Sequence, residues 1–234
     1  MWNRVLSPVG LALAGMLLGC AAASGANLQS ARDRQDREAL QSAVAELAEA
    51  ARGKPDDAAA QYRLALAESY LAQVLLERGD KPGAERAAEA GIPAAERAVS
   101  LQGNAAENHR ILGTLCGQVI PANVLLALKY GRCASDSIKK ALELDPKSAD
   151  AYLSQGVGNY YLPPAFGGGP QLAIQDFQKA IQLNPKSAEA HLWLGLALRK
   201  AGKNTEARAA IQRSLELNPD RLWARQQLEK TPVK

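Results

Sequence analysis

Aromatic side chains are scarce in this chain: two Phe, six Tyr and three Trp, 5% of 234 residues. A β-sandwich or barrel needs aromatic and β-branched residues to cover its pleated, half-buried faces, so the scarcity argues against both. An excess of one charge sign is lacking as well, since 28 basic and 24 acidic residues leave a net charge of only +4. The single dense charge run, Arg32-Asp33-Arg34-Gln35-Asp36-Arg37-Glu38, mixes both signs. It reads as a solvated helix face and not as a phosphate-binding stripe, so nucleic acid is not an expected partner. His109 and His191 stand alone, and the three cysteines include no Cys-x-x-Cys pair, so no metal site is expected. Gly-x-Ser-x-Gly and His-Glu-x-x-His are absent, and no Cys/His pair stands in a catalytic frame, so neither an enzyme nor a cofactor is expected.

What the chain has in abundance is Ala (45) and Leu (33), a third of all residues in two strong helix formers. With 47% hydrophobic and 22% charged residues it is folded, not disordered, and the expected class is all-α.

Residues 1–19 read as an export signal: Arg4 is the only charge, and an apolar stretch from Val5 to Leu18 is too short for a comfortable membrane span. Leu17-Leu18-Gly19-Cys20 resembles a bacterial lipobox, in which Cys20 becomes the lipid-modified first residue. The resemblance implies a periplasmic protein, and Ala21 after the cysteine implies the outer membrane. Ordinary cleavage after Ala23 or Ala26, giving a soluble periplasmic or secreted protein, is the alternative. Residues 20–30 would be a flexible linker. Cys116 and Cys133 are compatible either with one disulfide outside the cytoplasm or with two buried thiols.

Internal similarity is the most informative feature. Ala141-Leu142-Glu143-Leu144-Asp145-Pro146-Lys147-Ser148 returns as Ala180-Ile181-Gln182-Leu183-Asn184-Pro185-Lys186-Ser187, and again as Ser214-Leu215-Glu216-Leu217-Asn218-Pro219. Each copy ends one helix at Asp or Asn and lets Pro open the first turn of the next. The segment 188–221 resembles the tetratricopeptide repeat over its full 34 residues. Leu194-Gly195, Leu198, Ala201-Gly202-Lys203, Ala207, Ile211, Ser214 and Pro219 stand at the family's packing and turn positions. The resemblance implies a right-handed α-α superhelix of stacked helix pairs, with close contact at Gly195 and Ala207.

Earlier closures at Pro146, Gly103 and Pro55 give unit spacings of 48, 43, 39 and 34 toward the C-terminus. Residues 31–147 are therefore expected to form extended, degenerate helix pairs, beginning with a helix from about Ser30 to Arg52. Residues 148–234 would form two clear units plus a capping helix at Asp220–Glu229.

In the 39-residue unit the extra length lies at Asn159–Pro170, which holds two prolines and Gly167-Gly168-Gly169. Phe166 and these glycines form a candidate binding loop, with an anion as its candidate ligand at the helix start, but no Lys-Ser/Thr pair follows, so a nucleotide-binding P-loop is excluded. The favoured reading is a stiff connector whose Phe166 and Leu162 pack on the edge of the solenoid. This element, with Leu128-Lys129-Tyr130-Gly131, resembles bacterial exported repeat proteins with extended units. It is also similar to the T-component lipoproteins of tripartite (TRAP) transporters, which would imply a small-molecule cavity between elongated helices.

By the tetratricopeptide pattern, the first helix of each pair lines a concave groove. Arg110, Asp150, Leu153, Tyr160, Leu192 and Arg199 would face it, and the arginines would grip a carboxylate of a peptide or helix partner. Trp193 and Trp223 read as packing aromatics. The expected function is a protein-interaction scaffold.

Overall fold

The computed structural model describes residues 25–233; the expected signal segment and Cys20 lie outside the described residues. Eleven α-helices and no strands are found among them: α1 (Gly25–Asp33), α2 (Arg37–Gly53), α3 (Ala58–Glu77), α4 (Lys81–Leu101), α5 (Ala106–Ala122), α6 (Ala127–Leu144), α7 (Ala149–Tyr161), α8 (Pro170–Leu183), α9 (Ala188–Lys200), α10 (Asn204–Leu217) and α11 (Leu222–Glu229). Helices α3–α10 form four hairpins, α3 with α4, α5 with α6, α7 with α8 and α9 with α10, and each hairpin stacks on the next. Helices α1 and α2 form a half-sized pair in front and α11 closes the end. The class is the expected α-α superhelix.

Helix length explains the shrinking repeat spacing. Helices α3 and α4 have 20 and 21 residues and α5 and α6 have 17 and 18, whereas α7–α10 have 13 or 14.

Close approach within hairpins follows from glycine and alanine at the contacts. A Cβ on Gly195 would lie 2.5 Å from Ile211 Cγ1 and 2.9 Å from the Ala207 carbonyl oxygen, and one on Gly156 would strike the Phe177 ring. Gly195→Ala is therefore expected to destabilise by about 1–3 kcal/mol in a urea melt, through forced separation of α9 from α10.

The turns between units differ from the expected arrangement in one detail. Pro146 and Pro185 do not open the next helix; they sit in the turn, where Asp145 Oδ1 accepts from Lys147 N (3.0 Å) and Asn184 Oδ1 from Lys186 N (3.2 Å). The helices start three residues later, capped by Ser148 and Ser187, whose hydroxyls accept from Ala151 N and Ala190 N. Asp57 caps α3 in the same way, while Asp56 instead pairs with Arg97.

Two expectations near the N-terminus are overturned. The described part of the 20–30 linker is helical, because Leu28 is buried in the N-terminal core and holds α1 against α2 and α3. The single helix expected from Ser30 to Arg52 is broken at residues 34–36, where Gln35 takes the left-handed conformation (φ 53°) and Asp36 caps α2.

Parallel first helices fix the geometry of the edges. Thr114 of α5 bonds Ser154 of α7 at 3.1 Å, and Lys200 Nζ of α9 donates to the Tyr160 carbonyl of α7 at 2.5 Å. Helices α5, α7 and α9 therefore end on one side of the solenoid. That side carries the connectors within each hairpin, and the Asx-Pro turns lie on the other.

Candidate functional site

The charge run at the end of α1 is a solvated face only in part: Arg34, Asp36, Arg37 and Glu38 are exposed, whereas Arg32, Asp33 and Gln35 are buried. Arg32 and Asp33 pair with each other, and the other partners of the buried three are remote in sequence. The centre of the cluster is Arg221, whose side chain is fully buried at the start of α11. Its Nε donates to Glu189 Oε1 at 2.6 Å and its Nη1 to Glu77 Oε2 at 3.0 Å, while Nη2 reaches Glu77 Oε1. Asp33 lies 3.7 Å from Nε, and Arg32 approaches Glu189 at 3.5 Å.

Neutral groups complete the closure. Asn218 Nδ2 donates to Asp33 Oδ2 at 2.8 Å, Gln35 Nε2 to Glu77 Oε2 at 2.9 Å, and Gln226 Nε2 to Gln35 Oε1 at 3.3 Å. The guanidinium of Arg221 also lies 5.4 Å from the centroid of Trp223, and that of Arg32 lies 5.2 Å from Tyr70. The first and last elements of the superhelix thus clasp each other.

The electrostatics agree with the geometry. Burial alone would raise the Glu189 carboxyl, but Arg221 and Arg32 outweigh it and hold it down at about 2. The same carboxylates, Glu189 and Glu77, overcome the desolvation of Arg221 and raise it.

Two arginines expected to await a ligand are already engaged. Arg110 is held by Glu107, with Nε donating to both oxygens at 3.0 and 2.8 Å, and the Tyr62 hydroxyl donates to the same carboxylate at 3.3 Å. Arg199 donates to Gln227 Oε1 at 2.8 Å and to Thr231 Oγ1 at 3.2 Å, fastening the C-terminal segment. Leu192 is buried in the core and Leu153 is half-buried against it. Tyr160 packs edge-on to Trp193 at 5.5 Å under the Lys200 ammonium, 4.5 Å from its ring centroid. Asp150 alone of the six is exposed, in the first turn of α7.

The glycine loop is similarly committed. Gly167 N donates to Pro164 O (3.0 Å), Gly168 N to Pro163 O (3.2 Å) and Gly169 N to Asn159 O (2.8 Å), so no glycine N–H is left for an anion. Gly167 and Gly169 have φ of 84° and 110°, and a 3-10 turn at Pro164–Phe166 precedes them. The expected packing of Phe166 and Leu162 on the solenoid does not occur, because this turn points Phe166 into solvent and leaves Leu162 partly bare.

Cys116 and Cys133 form a disulfide between α5 and α6. Trp193 is buried, stacked on Phe177 and 5.2 Å from Trp223. Between α3 and α4, Glu68 is buried beside Gly91, and this burial pushes its carboxyl up to about 7. Because the folded value lies above the unfolded 4.5, the native state gains stability at low pH and loses it as pH rises from 4.5 through 7. Glu68→Gln is expected to match wild type at pH 4 and exceed it by about 2 kcal/mol at pH 8, read from urea melts.

Two depressions among the described residues are open and polar. One, of about 530 Å³, is lined by Gln35–Glu38, Gln41 and Arg78, and the other by Gly202–Glu206. Neither lies between the elongated helices, so the small-molecule cavity finds no support. No helix among the described residues is long and apolar enough to cross a membrane.

Stacked hairpins with Gly-to-Ile contacts and Asx-Pro turns define a tetratricopeptide-type solenoid, and the tetratricopeptide repeat family matches residues 166–221. The family described as regulator of microtubule dynamics protein 1-3 matches residues 26–162, more than half of the chain, and the chain belongs to it. Its extended early units are thus the part covered by that family. Among solved structures, the thermophilic tetratricopeptide protein TTC0263 of Thermus thermophilus is 18% identical, covers 82% of this chain and 90% of its own, and has a TM-score of 0.60. The HusA haemophore from Porphyromonas gingivalis is 20% identical, with coverage of 86% and 96% and a TM-score of 0.53. These likenesses show the fold. No curated protein matches the chain.

Proposed function

We propose that the protein is an exported, lipid-anchored scaffold of the tetratricopeptide type that binds a protein partner on its outer surfaces, its groove being closed by its own C-terminus. The observation that carries this reading is the engagement of Arg110, Arg199 and Arg221 by Glu107, by Gln227 and Thr231, and by Glu77 and Glu189. Arg110 and Arg199, expected to grip a ligand, instead hold the chain's own elements in place, as Arg221 does. Export is supported by the Leu17-Leu18-Gly19-Cys20 address and by the Cys116–Cys133 bond, which persists in oxidising compartments. The family's description names microtubule regulation for its members; for this chain, address and disulfide favour a partner outside the cytoplasm.

Membrane fractionation tests the anchor. Wild type is expected in the membrane pellet, and Cys20→Ala in the soluble fraction; an unchanged distribution sinks the lipoprotein reading. Crosslinking in native membranes tests the scaffold. Partner crosslinks are expected on outward-facing positions such as Lys140 and Lys179, and a partner confined to the groove would contradict it.

A further inference from the structure

Exposed apolar side chains are not scattered over this molecule. Of the eight large ones among the described residues, six (Leu125, Leu128, Tyr161, Leu162, Phe166 and Leu172) belong to two connectors, α5–α6 and α7–α8, and the helix ends beside them. Because α5 and α7 run parallel and in register, through Thr114 and Ser154, both connectors emerge on the same side of the solenoid. Neighbouring helices pack at about 8–10 Å, which makes the two connectors one surface. Leu128 is 98% exposed, Leu125 82% and Phe166 75%.

We propose that this edge is a membrane-contacting face, with Leu125, Leu128, Leu162 and Phe166 entering the headgroup–acyl boundary of an anionic bilayer. Three features favour lipid over a protein partner. Leu125, Leu128 and Phe166 are the most exposed of the six and line neither of the two open depressions, and protrusion is what entry into a fluid boundary requires. Charge is complementary: residues 108–135 and 151–175 contain no Asp or Glu, whereas Lys129 and Arg132 flank the leucines and reach headgroup level. Three nearby carboxylates have neutral donors, Glu89 in the Tyr130 hydroxyl at 2.7 Å, Asp176 in Asn159 at 2.6 Å and Glu85 in Asn123 at 3.5 Å. The exposed pairs Lys129–Glu89 at 3.9 Å and Arg132–Asp136 at 3.8 Å are the contacts that must loosen for the two cations to turn to headgroups. The third feature is the tether. The proposal rests on the anchored reading for it, since an acylated Cys20 would keep Gly25 within about 18 Å of the bilayer.

The test uses the full chain with vesicles of phosphatidylglycerol and phosphatidylethanolamine. An environment-sensitive fluorophore is placed on Leu128→Cys or Phe166→Cys, and as controls on Lys147→Cys or Lys186→Cys at the opposite edge. Each is prepared with Cys20 acylated and, separately, as Cys20→Ala, always with the Cys116–Cys133 bond intact. The expected result is a blue shift and quenching by brominated lipid at 128 and 166, but not at 147 and 186. For the Cys20→Ala chain, Leu125→Ser with Leu128→Ser and Phe166→Ser should lower vesicle partitioning on the order of ten-fold. Vesicle-bound protein whose labels at 128 and 166 stay in water overturns the proposal while leaving the anchor intact. Edge-dependent binding by Cys20→Ala, with no acylation detectable on wild type, supports the edge and removes the anchor. Blue shifts that grow with protein concentration and ignore vesicles mean that two copies meet there, and also overturn it.

Discussion

Arg221→Ala is expected to destabilise the protein by about 3–5 kcal/mol, because it strands the buried carboxylate of Glu77 without its cation and leaves Glu189 only the longer contact to Arg32. For a chain of this size the loss corresponds to a fall in Tm on the order of 10 °C. The effect extends beyond a point defect, since Arg221 immediately precedes α11 and Glu77 ends α3, toward opposite ends of the solenoid. Differential scanning calorimetry measures the first part and small-angle scattering the second, as an increase in radius of gyration. Acid should act in the same direction. Glu189, held at about 2 against 4.5 when unfolded, contributes stability that is present above pH 4.5 and is lost as pH falls toward 2. Arg221→Ala should weaken this dependence, because only the longer contact to Arg32 then holds the carboxylate. Replacing Arg221, Glu77 and Glu189 together by apolar residues of similar size should recover much of the lost stability, which separates the cost of stranded charge from that of lost packing.

Removal of the Cys116–Cys133 bond is the other large expected change, a loss of about 3 kcal/mol by the entropy of closing a loop of this length. The bond joins α5 to α6 across the connector that carries Leu125 and Leu128, with a sequence separation of 17. Reduction of wild type and the double replacement Cys116→Ala with Cys133→Ala should give similar urea midpoints, both below that of the oxidised protein. Amide exchange should accelerate most in residues 117–132. A midpoint indifferent to reductant would show that the bond does not form in the folded protein.

The parts of this fold that local chemistry controls could be read from the chain. Asx-Pro turns, Ser caps and Gly-to-Ile contacts act over a few residues or across one hairpin, so their spacing gave the hairpins and the shortening of units. The closure was not legible for the opposite reason, since Asn218 and Asp33 meet across 185 residues. Alternating charge in Arg32–Glu38 carries no mark of burial. One local signal did exist: where two units place Lys-Ser after Asx-Pro, the last places Asp220-Arg221, exchanging the helix cap for a long cation. Arg110 and Arg199 were placed on the right helices, yet their ligands, Glu107, Gln227 and Thr231, belong to the chain itself. Phe166 shows the converse error, an aromatic assigned to packing that a 3-10 turn directs outward.

Closure of the superhelix by its own ends is tested most directly by an electron-spin distance measurement between labels on Glu38→Cys in α2 and Glu229→Cys in α11. With the disulfide intact and Cys20→Ala as background, closure requires one short, narrow distance distribution that lengthens and broadens in Arg221→Ala. A long, broad distribution in the otherwise wild-type chain, or one that Arg221→Ala leaves unchanged, would contradict it.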